Sequence, residues 1–248
     1  MTLRRFILLA GSDPFLPETR ALLRRMDTVP PLPRQILIDQ TIRGLFSAGV
    51  WDTFDVLYFL AAHDAQAALL NWKADAHNLA LVSGTVTFTA DVGYRSASGG
   101  VLQVSSVPAV PKWQTGDAAL SVWAADGASG PFLVQGGVGS IVAPLGSGSS
   151  EGSLVVSINQ SQAQVVTPPS PDPEGLFTGS RHDGAAFIGY NGELYQNLTE
   201  AENNPAGPGV SLLRGSPFLA RFLCAGGGRS VAQEALLYDV VSAYLGGL

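Results

Sequence analysis

Cysteine is almost missing from this chain: Cys224 is the single one in 248 residues. That excludes an intrachain disulfide framework and a cysteine-built zinc site, so the fold must be held by its core alone. Charge is scarce as well, at 14% of residues, and its balance is acidic: 14 Lys and Arg against 20 Asp and Glu, a net of -6. This is the wrong sign for gripping phosphates, and no nucleic-acid partner is expected. Long apolar runs are absent too. The richest stretch, GVWDTFDVLYFLAAHDAQAALLNWK at 49–73, carries Asp52, Asp55, His63 and Asp64; each would cost a few kcal/mol in lipid, so no membrane insertion is expected. The start, MTLRRFILLAGSDP, imitates a secretion signal, but the run Phe6 to Ala10 falls short of an apolar region of about 7 to 15 residues. Three histidines in unrelated contexts, His63, His77 and His182, supply too few ligands for a metal site, and no metal or cofactor is expected.

What remains is 46% hydrophobic and rich in turn formers, with 29 Gly and 16 Pro, enough to bury a sizeable core. Residues 1–33 are irregular and punctuated by Pro14, Pro17, Pro30, Pro31 and Pro33, and read as an extended arm. Residues 34–78 form a lead-in. Ile38, Ile42, Leu45 and Phe46 recur at helical spacing from Arg34 to Ala48, with Gly49 at the helix end. Next come a buried strand, VLYFLAA, and a short helix capped by Asp64. From Leu79 to the end the period shortens to two, beginning with TVTFTA at 85–90, and about ten short runs separated by Gly, Pro, Ser and Asn predict an antiparallel β-sandwich or barrel. Asn191-Gly192 predicts a two-residue hairpin turn. Ser230 with Gln233 predicts a capping box opening a C-terminal helix, with Val231, Leu236, Val240, Tyr244 and Leu245 as its apolar face.

Chemistry is harder to find. His63-Asp64 is expected to be a helix cap, not a metal centre. Gly148 to Gly152 matches the spacing of a nucleophile elbow, yet it runs into the strand-like SLVVSIN, where that elbow requires a helix. Ser180, Arg181, His182 and Asp183 cannot converge on one point, because successive strand side chains face opposite ways. Glu200 and Glu202 have the spacing for paired glycosidase acids but sit in a polar loop. No enzyme activity is expected. For ligand binding the candidates are Trp113, Trp123 and Tyr190, which can stack on sugar rings, and the cationic Arg181. For docking to a larger assembly they are Arg4, Arg5, Arg20, Arg24 and Arg25, which concentrate cations in the arm of an acidic chain.

One combination is distinctive: a helix ending in Ala48-Gly49-Val50-Trp51, a strand, the turn carrying His63-Asp64, then Asn71-Trp72-Lys73, and Phe88, Asp91, Gly93 and Tyr94. This pattern resembles a family of tailed-phage and prophage virion proteins, densely up to residue 95 and more sparsely to 248; residues 96–180 match loosely. The resemblance implies a concanavalin A-type, laminin G-like jelly roll over residues 79–248, mainly β, with the N-terminal arm and helix and a C-terminal helix added. It implies a non-enzymatic tail-fibre, tail-tip or capsid-associated role, with other virion proteins as partners, homo-oligomers, and host-surface glycan as the ligand. The alternative it leaves is a receptor-recognition lectin, and behind that a polysaccharide depolymerase. No catalytic residue belongs to the pattern.

Overall fold

The structure, a computed structural model, describes residues 14–104, 112–114, 116–125, 132–136, 139–143, 154–157, 164–166, 174–198, 210–213 and 219–248. Four α-helices occur among them: α1 (Pro17–Leu23), α2 (Leu32–Ser47), α3 (Ala65–Leu69) and α4 (Val231–Gly246). The strands are β1 (Phe54–Phe59), β2 (Leu79–Thr89), β3 (Gly93–Val104), β4 (Ala118–Ala125), β5 (Phe132–Gly136), β6 (Gly139–Ala143), β7 (Leu154–Ser157), β8 (Gln164–Val166), β9 (Gly175–His182), β10 (Ala185–Tyr190), β11 (Glu193–Asn197), β12 (Val210–Leu212) and β13 (Leu219–Gly226).

All pairings are antiparallel, and one hydrogen-bonded path runs β11-β10-β9-β4-β13-β3-β12-β5-β6-β7-β8, with β1 added beside β13 and β2 beside β3. The path curls so that β6 packs across β4 and β9, giving a mainly β, jelly-roll-like sandwich. The expected fold class is therefore found.

Helices cover one face of the β1-β13-β4-β9 sheet. Alternation along the strands sends Leu57, Phe59, Phe222, Cys224, Ser121, Trp123, Thr178 and Ser180 to that face, as the register pairs Leu57 with Cys224, Ser121 with Thr178, and Trp123 with Leu176. Phe59 gathers Trp72, Phe222 and Tyr244 at centroid distances of 4.2, 4.9 and 4.4 Å. α2 lies against α4, with Gly44 meeting Val240. The 49–73 stretch is thus the seam between helices and sandwich. Its Asp64 Oδ1 accepts the Ala67 amide at 2.8 Å and caps α3, and His63 Nε2 lies 2.7 Å from the Thr28 carbonyl.

Several local expectations need correction. α2 starts at Leu32, because Pro31 and Pro33 suit a first helical turn. Residues 14–33 are not an extended arm: Leu22, Leu23 and Met26 are buried, and Asp39 Oδ1 accepts both the Leu16 amide and the Thr19 hydroxyl at 2.7 Å. In α4 the buried face is Glu234, Leu237, Val241, Tyr244 and Leu245, while Val231 and Leu236 are exposed. A buried carboxylate shifted that face away from the purely apolar one. Phe46 is exposed as well, though its ring lies 5.0 Å from Trp51.

Candidate functional site

One end of the sandwich collects the polar side chains. Gly226, Gly227 and Gly228 thread there between three backbones: a Cβ on Gly226 would sit 2.1 Å from the Thr53 carbonyl oxygen, and one on Gly228 would sit 1.9 Å from that of Arg181. Only glycine permits that approach. The turn at 112–117 is closed by Gln114 and Asp117, which exchange amide-to-carbonyl bonds of 2.8 and 3.2 Å. It is tied down by Asp55, whose carboxylate accepts the Lys112 and Trp113 amides at 3.1 to 3.3 Å. Burial raises the Asp55 pKa, and these amides pull it partly back.

Opposite that turn, β9 and β10 are joined by Asp183-Gly184, both with positive φ, 50° and 76°. This is the geometry of a two-residue primed hairpin turn. It places His182 so that Nδ1 lies 2.8 Å from Asp117 Oδ1 and Nε2 lies 3.5 Å from Asp183 Oδ2. A carboxylate only accepts, so Nδ1 donates to Asp117. The imidazole thus orients Asp117, while the solvent-facing Asp183 stands beside its other ring nitrogen.

Two lysines flank the group. Lys73 Nζ donates to the Trp51 carbonyl at 2.8 Å and stands 4.1 Å over the Trp51 ring. Burial pushes its pKa down to about 8. Lys112 Nζ donates to the Asp52 carbonyl.

This arrangement presents acceptors for hydroxyl donors, with Asp117 the one fixed by a hydrogen bond. It does not form a hydrolytic triad, because Ser180 faces the helix layer, where its Oγ exchanges bonds of 2.8 and 2.9 Å with the Arg229 backbone. Among the described residues, no group of three or more His, Cys, Asp or Glu is placed to hold a metal ion.

The four expected ligand residues do not form one site. Trp113 and Arg181 lie at the polar end but are only 7% and 4% exposed, so neither offers a face to a sugar. Trp123, 8% exposed, stacks on Tyr238 at 5.7 Å, and half-buried Tyr190 donates to the Glu174 carbonyl at 2.8 Å. Since β4 pairs Ala118 with Arg181 but Ala124 with Gly175, these last two belong to the opposite end, about 20 Å away at about 3.4 Å per residue. Sequence reasoning missed Asp117 and took His182 and Asp183 as successive strand residues facing opposite ways. Asp183-Gly184 carries the same hairpin signal as Asn191-Gly192 and would have located them.

Of the expected docking residues, Arg4 and Arg5 lie outside the described residues. Arg25 is used internally, donating to the Asn71 and Ala74 carbonyls at 2.8 and 2.7 Å. Arg20 and Arg24 border a cavity between α1 and α2. Among the described residues no helix is long and apolar enough to cross a membrane.

No family model and no curated protein matches the chain. Solved structures share its fold. They include the binding domain of botulinum neurotoxin serotype D, 12% identical over 77% of this chain and 52% of that one, with a TM-score of 0.53. Botulinum neurotoxin type C, described as dependent on two ganglioside molecules for entering cells, is 12% identical over 78% and 53%, with a TM-score of 0.57. Domain 4 of AbnA, a GH43 extracellular arabinanase from Geobacillus stearothermophilus solved with arabinotriose, is 14% identical over 76% of this chain and 98% of that one, at 0.53. The chain spans about half the length of the neurotoxin chains it matches. At these identities the likeness establishes the jelly-roll fold.

Proposed function

We propose that this chain is a non-catalytic component of a phage or phage-like particle whose jelly roll recognises a host-surface glycan through the Asp117, His182 and Asp183 end. The carrying observation is the fold: it matches nearly the whole of a domain solved with arabinotriose and aligns with a neurotoxin described as ganglioside-dependent. Asp117, held by His182, and the exposed Asp183 beside it are acceptors, a disposition suited to sugar hydroxyls. The virion part of the reading is supported by the sequence resemblance around Ala48 to Tyr94, and homo-oligomers follow from the closed symmetry of such particles.

A glycan array probed with the intact chain tests the binding, followed by titration of the best hit against Asp117→Ala and Asp183→Ala. Loss of about tenfold or more in affinity with an unchanged melting temperature supports the site; an array without any hit overturns glycan recognition. Immunogold labelling of purified particles tests the virion assignment separately.

A further inference from the structure

A cavity of about 320 Å³ opens between α1 and the start of α2, lined by Phe15, Arg20, Leu23, Arg24, Val29 and Gln35. Its lining holds two cations and no carboxylate, in a chain whose net charge is -6. The apolar surface continues beyond it: Val29 is 57% exposed, and Leu32 and Ile36, one helical turn apart on α2, are 59% and 42% exposed. Exposed apolar residues are ordinary when scattered, but Val29 in the cavity lining and the Leu32 and Ile36 pair on α2, whose Gln35 also lines it, mark an interaction surface.

The groove is also preformed. α1 is fastened by Asp39 to Leu16 and Thr19, and Gln66 links across to the Asp27 amide and the Arg25 carbonyl. Neighbouring arginines divide their work, Arg25 turning inward to hold the 71–74 loop while Arg24 remains exposed and makes no ion pair to a described residue. Arg24 at the rim of an apolar floor attracts an opposite charge.

We infer that this groove is the docking site for an acidic, apolar-anchored segment of another virion protein, a carboxylate of it facing Arg24 and an apolar side chain entering between Leu23 and Val29. The inference rests on the particle-component reading above and names the surface and the partner's chemistry. It is tested with the full chain and a fluorescein-labelled peptide, rich in Glu with two Leu one helical turn apart, alongside its Lys-for-Glu counterpart, by anisotropy at low and physiological salt. The Glu peptide should bind saturably and the Lys peptide should not. Arg24→Glu and Val29→Asp, both at exposed positions, should each weaken binding by about tenfold or more, the first with a reduced salt dependence.

Equal binding by wild type and Arg24→Glu, or no Glu-peptide binding at physiological salt, overturns the docking site. So does a dimer in light scattering that both substitutions dissociate, since a second copy would then occupy the groove. Incorporation of the doubly substituted chain into particles separates the two readings: normal incorporation sinks the groove while leaving the particle assignment standing.

Discussion

Arg229 Nε and Glu234 Oε1 meet at 2.6 Å, five residues apart and wholly enclosed. Arg229 Nη2 also donates to Ser121 Oγ at 2.7 Å, its guanidinium lies 5.3 Å from the Phe54 ring, and Glu234 Oε2 accepts from Thr178 Oγ1 at 3.1 Å. The pair therefore bolts the first turn of α4 to β4 and β9. Removing one charge strands the other, a loss of about 3–5 kcal/mol. Glu234→Leu should lower stability to denaturant by that amount, and Arg229→Met combined with Glu234→Leu should recover a large part of it. A double variant no more stable than Glu234→Leu would refute the stranded-charge account.

Asp39 links α2 to α1 and is the anchor of the proposed groove. Burial raises its pKa, but the Leu16 amide, Arg43 and the Thr19 hydroxyl outweigh that and lower it below the ordinary value. The anion's contribution is thus present above the unfolded-state pKa and lost as pH falls through the folded one. Asp39→Asn should cost about 1–3 kcal/mol near neutral pH, lose hydrogen-exchange protection over residues 17–25, and converge with wild type as pH falls through the lowered folded-state pKa. Unchanged exchange in α1 would show that the apolar contacts of Leu22 and Leu23 suffice.

How much of this was readable in advance follows from sequence distance. Asp64, Asn191-Gly192 and the Ser230 and Gln233 capping box act within three residues of themselves, and each was legible. Glu234 carried no such local signal, because nothing in its neighbourhood shows that Thr178 would bond it and Ser121 its partner Arg229, from strands more than fifty residues away. The error in the α4 face follows: a helix that buries a paired glutamate turns its Leu236 outward. The aromatic candidates failed for a related reason, since the types that stack on sugars are also those that fill a core. Asp117 lay in an aperiodic turn, and its partner His182 is 65 positions on.

Lys73 offers a pH dependence of the same sense in an alkaline window. Its pKa is pushed down by burial to about 8, from an ordinary 10.5. Below pH 8 it is charged in both folded and unfolded chains; between about 8 and 10.5 the unfolded chain holds more protons, so this residue makes stability rise with pH. Denaturant titrations across that window should show the rise in wild type and its loss in Lys73→Met. A difference between the two chains that stays flat would mean the ammonium is better solvated than its place over Trp51 implies.

Two glycines at the polar end separate close approach from backbone conformation. A Cβ on Gly228 would strike the Arg181 carbonyl oxygen at 1.9 Å and Asp117 Oδ1 at 2.8 Å, whereas one on Gly184 meets nothing within 4 Å and suffers only the left-handed φ of 76°. Gly228→Ala should therefore displace the β9 end from the 112–117 turn, cost about 3 kcal/mol or more, and abolish the contact between His182 and Asp117. Gly184→Ala should cost about 1–2 kcal/mol and leave that contact in place. The imidazole proton resonances of His182 read the contact directly: a spectrum altered in Gly228→Ala and kept in Gly184→Ala would show that the triglycine passage sets the site. Equal losses of stability and of the His182 signal in both chains would show instead that the hairpin turn alone does so.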